Sequence, residues 1–379
     1  VSRTDEPVLS LEDVEVHFER ESGLFDFFSD PDVVQAVDGV SLDIGEREVL
    51  ALVGESGCGK TTLGKTAIGL QRPTGGRVRY RGQDVWDATD GRGDVTIPYS
   101  EIRTALQIIH QDPGSSLNPN RKVLANLAEP LRKSQSSLSR TDRRARILGM
   151  LETVGMTPPQ DYAGRYPHQL SGGEKQRIAL VRALLMNPDV ILADEAISAL
   201  DVSLRIEMMD LFLDLQAEFD TSFVFISHDL SNARYLAEKA NGLIGIMYLG
   251  ELVEIGPAER ILRDPKHPYT QALRWATPDL FGEDAEGELP MRKIDIPDPV
   301  NPPSGCRFHT RCPEAREACK AEHPEPITVG ENGRQRVSCF RADDDHRYWD
   351  SDPLRESEAD GTDRTGDGDE TERSSATGD

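Results

Sequence analysis

The stretch Val49-Leu-Ala-Leu-Val53, followed by Gly54-Glu-Ser-Gly-Cys-Gly-Lys60-Thr61-Thr62, decides the fold of this 379-residue chain. An unbroken apolar run of this length reads as a strand buried on both faces, as a parallel sheet requires. The glycines and the Lys-Thr pair match a phosphate-binding loop, whose context is strand before and helix after. The pattern over residues 60–70 supplies the helix. Gly54, Ser56, Gly57, Cys58 and Gly59 let backbone N–H groups converge on phosphates, and the helix N-terminus adds its positive end. Lys60 is expected on the β- and γ-phosphates and Thr61 on Mg²⁺, with Thr62 completing the phosphate cradle. A glycine-rich turn with an incidental lysine is the ordinary alternative, and the flanking elements argue against it. Cys58 reads as a small residue that fits the loop.

Outward from this segment, short β-branched runs alternate with amphipathic stretches, the rhythm of an α/β fold. Strands are expected at residues 8–16, 33–44, 49–53, 106–110, 190–193, 222–226 and 243–247. Helices are expected at 60–70, 140–154, 174–186, 203–219 and 230–239. From Pro257 onward prolines thicken and a cysteine group follows. The last 38 residues, from Ala342, hold 14 acidic and four basic residues and read as an unfolded, solvating tail. The expected units are therefore 1–257, 258–341 and 342–379.

Sixty-seven acidic against 43 basic residues give a formal charge of −24, which argues against a nucleic-acid partner. Nine lysines to 34 arginines, in so acidic a chain, resemble the proteins of salt-loving microbes. No stretch approaches the roughly 18 uncharged residues that span a bilayer. The opening VSRTDEP lacks the pattern of a signal peptide, so a cytosolic location is expected.

Two further motifs narrow the chemistry. Val190-Ile-Leu-Ala-Asp194-Glu195 is an apolar strand ending in two acids. Beside a phosphate loop, Asp194 is expected to hold Mg²⁺ and Glu195 to orient an attacking water. In Leu170-Ser-Gly-Gly-Glu-Lys-Gln-Arg177, two glycines open a helix and leave N–H groups for a second anion site. One chain then carries two γ-phosphate binders, most simply explained if a partner's copy completes each site.

These motifs resemble the ATP-binding cassette family, whose signature LSGGQ appears here as LSGGE. The other landmarks follow in order: Gln111 in IIHQDP, Ser198-Ala-Leu-Asp201 after the acid pair, and His228 in FVFISHD. The resemblance spans about residues 9–257. It implies a P-loop NTPase cassette: a RecA-like core, an antiparallel β subdomain, a helical subdomain, and here a small Cys-containing extension. It implies that Gln111 senses Mg²⁺ or the γ-phosphate and couples to a transporter, that Glu195 polarises water, and that His228 contacts the γ-phosphate. Ser171 and Gly173 are implied to close over ATP on the opposite subunit, with Asp201 beside that seam. Ala196 departs from the family, which usually has Pro there. Phe18 is the candidate to stack on adenine, with Phe25, Phe27 and Phe28 in competition.

His267-Pro-Tyr-Thr270 and the run from Ile296 to Pro313 resemble the C-terminal extension of oligopeptide and dipeptide importer ATPases, as do AVDGVSLDI and MYLGELVEIG. The resemblance implies peptide uptake, although some relatives carry nickel or sugars. It also implies membrane permease subunits, a second cassette (identical or paralogous) and a solute-binding protein as partners, and a position on the cytoplasmic face of the membrane. A soluble cassette ATPase acting on nucleic acid, or one with a redox or sensory output, is the alternative.

Cys306, Cys312, Cys319 and Cys339 are separated by 5, 6 and 19 residues. Four thiolates suit a [4Fe–4S] cluster or zinc, and zinc favours tighter pairs. Pro313 directly after a cysteine, and the resemblance itself, point to the cluster.

Overall fold

The computed structural model describes residues 6–19, 32–277, 290–292, 294–330 and 333–355. In chain order its elements begin with β1 (Leu9–Glu19), β2 (Val33–Ile44), β3 (Val49–Val53) and α1 (Lys60–Ala67). β4 (Gly75–Tyr80), β5 (Gln83–Asp84), α2 (Val85–Asp90), α3 (Tyr99–Ala105) and β6 (Leu106–Ile109) follow. Next come α4 (Val123–Ser134), α5 (Arg140–Thr153), α6 (Pro159–Gly164), α7 (Gly172–Leu184), β7 (Val190–Asp194) and α8 (Val202–Phe219). β8 (Ser222–Ser227), α9 (Leu230–Lys239), β9 (Leu243–Tyr248), β10 (Glu251–Pro257), α10 (Ala258–Arg263) and α11 (Pro268–Trp275) lead into the extension. There lie α12 (Glu317–Ala321), β11 (Ile327–Val329) and β12 (Gln335–Val337).

Two sheets result. One is antiparallel, in the order β2-β1-β4-β5; the other has eight strands, in the order β11-β12-β10-β9-β3-β8-β7-β6. In β1 the alternation Leu9, Leu11, Val14, Val16 faces inward, with a shift of register between Leu11 and Val14. β3 is buried at all five positions and pairs in parallel with both β8 and β9. It therefore lies inside the large sheet, and the phosphate loop leaves from its C-terminal end, where open α/β sheets hold ligands. α1 packs between the sheets: Leu63, Ala67 and Ile68 share one core with β1, β2 and the strands of the large sheet. A second core joins α4–α8 to the opposite side of the large sheet.

The expected boundary at residue 257 does not separate two bodies. β12 pairs with β10, Glu254 opposite Val337 and Ile255 opposite Arg336, so the extension adds strands to the cassette's own sheet. Phe308, Cys312, Ala315 and Leu354 share a core with Ala51 and Val53 of β3, Tyr248 of β9 and Val253 of β10. Arg307 ties the two together: it donates to the Leu249 carbonyl and Gln35, and pairs with Asp38 and Glu251 (2.7 Å).

The tail expected from residue 342 also needs correction. Residues 343–355 are folded. Tyr348 and Leu354 are buried, Tyr348 Oη donates to the Glu314 carbonyl, and the Leu354 N–H bonds the Ala315 carbonyl at 2.9 Å. Residues 356–379 of that tail lie outside the described residues.

Candidate nucleotide site

The loop after β3 needs its glycines for two separate reasons. Gly59 has φ +101°, and a Cβ there would meet the Ala36 carbonyl oxygen at 2.0 Å. Gly54 lies so close to β9 that a Cβ would fall 2.2 Å from the Met247 carbonyl oxygen. The first is a conformation L-residues avoid and the second a close backbone approach. Lys60 opens α1 with only 5% of its surface exposed, and its ammonium donates to the Gly54 and Glu55 carbonyls, both at 2.8 Å. That ammonium is thus held on the loop that phosphates would enter. Cys58 is buried, and burial pushes its thiol upward despite Lys60 nearby. A neutral packing role follows, as expected for a small residue in the loop.

At the ends of β7 and β8 the acidic and polar residues assemble. Thr61 Oγ1 donates to Asp194 Oδ1 at 2.8 Å, so both candidate Mg²⁺ ligands meet across the sheet. An alcohol and a carboxylate oxygen side by side are the hard donors that Mg²⁺ takes. Glu195 follows β7 at φ +48°, a left-handed conformation that costs about 1–2 kcal/mol for a residue with a Cβ. Its carboxylate is held from two sides: Gln111 Nε2 donates to Oε2 at 3.1 Å, and His228 Nδ1 lies 3.5 Å from Oε1. Residues from two other loops therefore converge on the Glu195 carboxylate beside the Thr61–Asp194 pair. Ala196, where proline was expected, is buried.

The signature segment opens α7. Ser171 Oγ accepts from the Glu174 N–H at 3.2 Å, and the Glu174 carboxylate accepts from the Ser171 N–H at 2.7 Å. This reciprocal capping box explains why Glu is tolerated in LSGGE. The S-x-x-E spacing of Ser171 and Glu174 is the signal by which this cap is legible in the sequence. Gly172 and Gly173 follow, and a Cβ on Gly173 would lie 3.8 Å from Leu204 of α8. Asp201 caps α8, accepting from the Leu204 N–H at 3.0 Å and from Ser203 Oγ at 2.9 Å. Those hydrogen bonds, the backbone one first, lower its carboxyl below the ordinary range. Val202, Leu204 and Ile206 stand exposed on the same first turns.

Phe18 lies near the end of β1, opposite Val34 and 41% exposed; Phe25, Phe27 and Phe28 lie outside the described residues.

The four cysteines of the extension are drawn together. The Cys306 N–H bonds the Cys319 carbonyl at 2.8 Å, and the Cys306 thiol is raised by burial and then by the charges of Cys339, Cys319 and Cys312. Burial likewise pushes Cys312 to about 12 and Cys339 to about 11. All are free thiols. Among the described residues, however, no group of three or more His, Cys, Asp or Glu forms a ready-made metal site.

Comparison with known proteins agrees with this geometry. A family model described as ABC transporter matches residues 37–198, and one described as oligopeptide/dipeptide transporter, C-terminal region, matches 253–319. The chain is 41% identical to the dipeptide transport ATP-binding protein DppF of Escherichia coli, over 90% of this chain and 96% of that protein. It is 40% identical to the di/tripeptide transport ATP-binding protein DppF of Pseudomonas aeruginosa, over 89% and 98%. It is also 40% identical to the oligopeptide transport ATP-binding protein OppF of Salmonella typhimurium, over 89% and 96%. Among solved structures, the dimeric post-hydrolysis state of the ATP-binding cassette MJ0796 with ADP and Pi aligns at a TM-score of 0.54 and 28% identity, covering 66% of this chain and 98% of that one. With the phosphate loop, the paired acids and the capped signature helix in one molecule, this chain belongs to the ABC transporter family of ATP-binding proteins.

Proposed function

We propose that the chain is the ATPase subunit of an importer, coupling ATP binding and hydrolysis to peptide uptake from the cytoplasmic face of the membrane. The observation that carries this reading is the Glu195 carboxylate held between Gln111 and His228, next to the Thr61–Asp194 pair. That arrangement suits phosphoryl transfer to water. Lys60 and the loop N–H groups would take the phosphates, Thr61 and Asp194 would hold Mg²⁺, and Glu195 would orient the attacking water. When bound, Mg²⁺ supplies charge neutralisation on the phosphates. Ser171 and Gly173 are assigned to ATP on a second cassette, supported by the exposed apolar turn of Val202, Leu204 and Ile206 beside them. Peptide as cargo is supported by the names of the relatives and by the family of the C-terminal region. Among the described residues no helix is long and apolar enough to cross a membrane; passage of the solute is assigned to permease subunits, fed by a solute-binding protein, on the support of the relatives' names as transport ATP-binding proteins. The test is ATP turnover by the reassembled complex: a peptide-loaded binding protein should stimulate it, whereas stimulation by nickel or sugar alone would reassign the cargo.

For the extension, we infer a [4Fe–4S] cluster on Cys306, Cys312, Cys319 and Cys339. Four free thiols in one buried region support it, and their spacing suits a cluster better than zinc. Anaerobically purified protein should be brown with broad blue absorbance. A colourless preparation containing zinc would replace this assignment.

A further inference from the structure

Glu55 puts a carboxylate inside a loop whose task is to hold phosphates, and the extension handles that charge. Arg311 reaches it with a two-pronged contact, Nη1 to Oε2 at 2.9 Å and Nη2 to Oε1 at 3.1 Å. The Arg311 side chain is 7% exposed and that of Glu55 25%. The guanidinium also lies 5.8 Å from the centre of the Tyr248 ring, in an aromatic cluster with Tyr269 and Phe308. Tyr269 Oη accepts from the Glu55 backbone N–H at 3.1 Å. Both the carboxylate and the N–H of one loop residue are thus held by residues beyond position 257, which none of the cassette motifs includes.

We propose that Arg311 and Tyr269 are positioning residues of the nucleotide site, through which the extension neutralises Glu55 and keeps the phosphate loop receptive to MgATP. An unpaired carboxylate in that loop repels the triphosphate and competes for the N–H groups that should bind it. A forked guanidinium–carboxylate contact removes both effects, and the burial of Arg311 limits screening by salt. The inference rests on the chain being an ATPase.

The test is the KM and kcat for MgATP of the full chain in its complex, for Arg311→Met, Arg311→Lys, Glu55→Gln and the double variant Glu55→Gln/Arg311→Met. Arg311→Met should raise KM about tenfold, with kcat much less affected. Arg311→Lys should recover part of the loss, since it restores charge but not the fork. The double variant should return KM towards wild type, because no unpaired carboxylate remains; a pair that merely holds the fold would show that coupling in melting temperature and leave KM unchanged. If Arg311→Met is too unstable to assay, Glu55→Gln carries the test. It should lower KM, since Arg311 then faces the phosphates uncompensated. An unchanged KM in Arg311→Met, no rescue in the double variant, or an unchanged or raised KM in Glu55→Gln overturns the proposal. A wild-type complex without MgATP turnover would instead refute the ATPase reading itself.

Discussion

Thr61 and Asp194 meet at 2.8 Å although 133 positions separate them, and the sequence motifs implied that meeting because both follow buried parallel strands. The same holds for Gln111, Glu195 and His228. What the motifs could not disclose is how each side chain is held. The left-handed backbone at Glu195 depends on local geometry that residue types alone leave open, whereas the S-x-x-E spacing does signal the reciprocal cap of Ser171 and Glu174. The contact of Arg311 with Glu55 spans 256 positions and belongs to no periodic pattern. At this scale the hydroxyl of Thr61 is decisive. Thr61→Val should lower MgATP turnover by at least about tenfold and raise the Mg²⁺ requirement, whereas Thr61→Ser should stay close to wild type. Turnover titrated against Mg²⁺ checks this, and equal behaviour of the two variants would remove Thr61 from the metal site.

Elements with a clean period were readable: β2 and β3 fall at the expected positions, and α9 does too. Others escaped for physical reasons. α4 carries Pro130 within the helix, which reads as a break. β4, GGRVRY, opens with two glycines and places arginines outward, so its apolar signal is thin. α11 gives a pH test. His267 caps it, Nδ1 accepting from the Tyr269 N–H at 3.1 Å, and burial lowers its pKa to about 3, with Arg341 adding to the effect. A protonated Nδ1 could not accept that bond. In the unfolded chain the imidazole titrates near 6.5. Between pH 6.5 and 3 the unfolded state therefore binds a proton that the folded state refuses, and stability falls as pH falls. The slope from this group approaches about 1.4 kcal/mol per pH unit. His267→Asn keeps a capping oxygen and should flatten that part of the profile. Urea midpoints at pH 7 and pH 5 measure it, and parallel losses in both proteins would contradict the assignment.

Across the whole molecule, the cassette was readable because its motifs are local and ordered, and the extension's attachment was not. β11 and β12 are three residues each, too short for any period, and β12 finds β10 across about 80 positions of chain. The acidic composition after residue 342 hid the two anchors, Tyr348 and Leu354. Because Phe308 and its neighbours complete a core shared with β3, β9 and β10, removing residues 258–379 should not leave an intact cassette. It would unpair the edge of β10 and uncover Tyr248 and Val253, each buried apolar side chain being worth about 1.5–3 kcal/mol. The truncated chain should melt lower or aggregate; an unchanged melting temperature would show that the extension is a separate body.

Hydrolysis by Glu195 in an ATP-closed pair of cassettes is put to the test by a single substitution. MgATP binding and turnover should be measured for wild type and Glu195→Gln in the complex with the membrane subunits. The variant should still bind MgATP and close into the cassette pair, with turnover reduced by about 10²–10⁴-fold. Undiminished turnover in Glu195→Gln would contradict it.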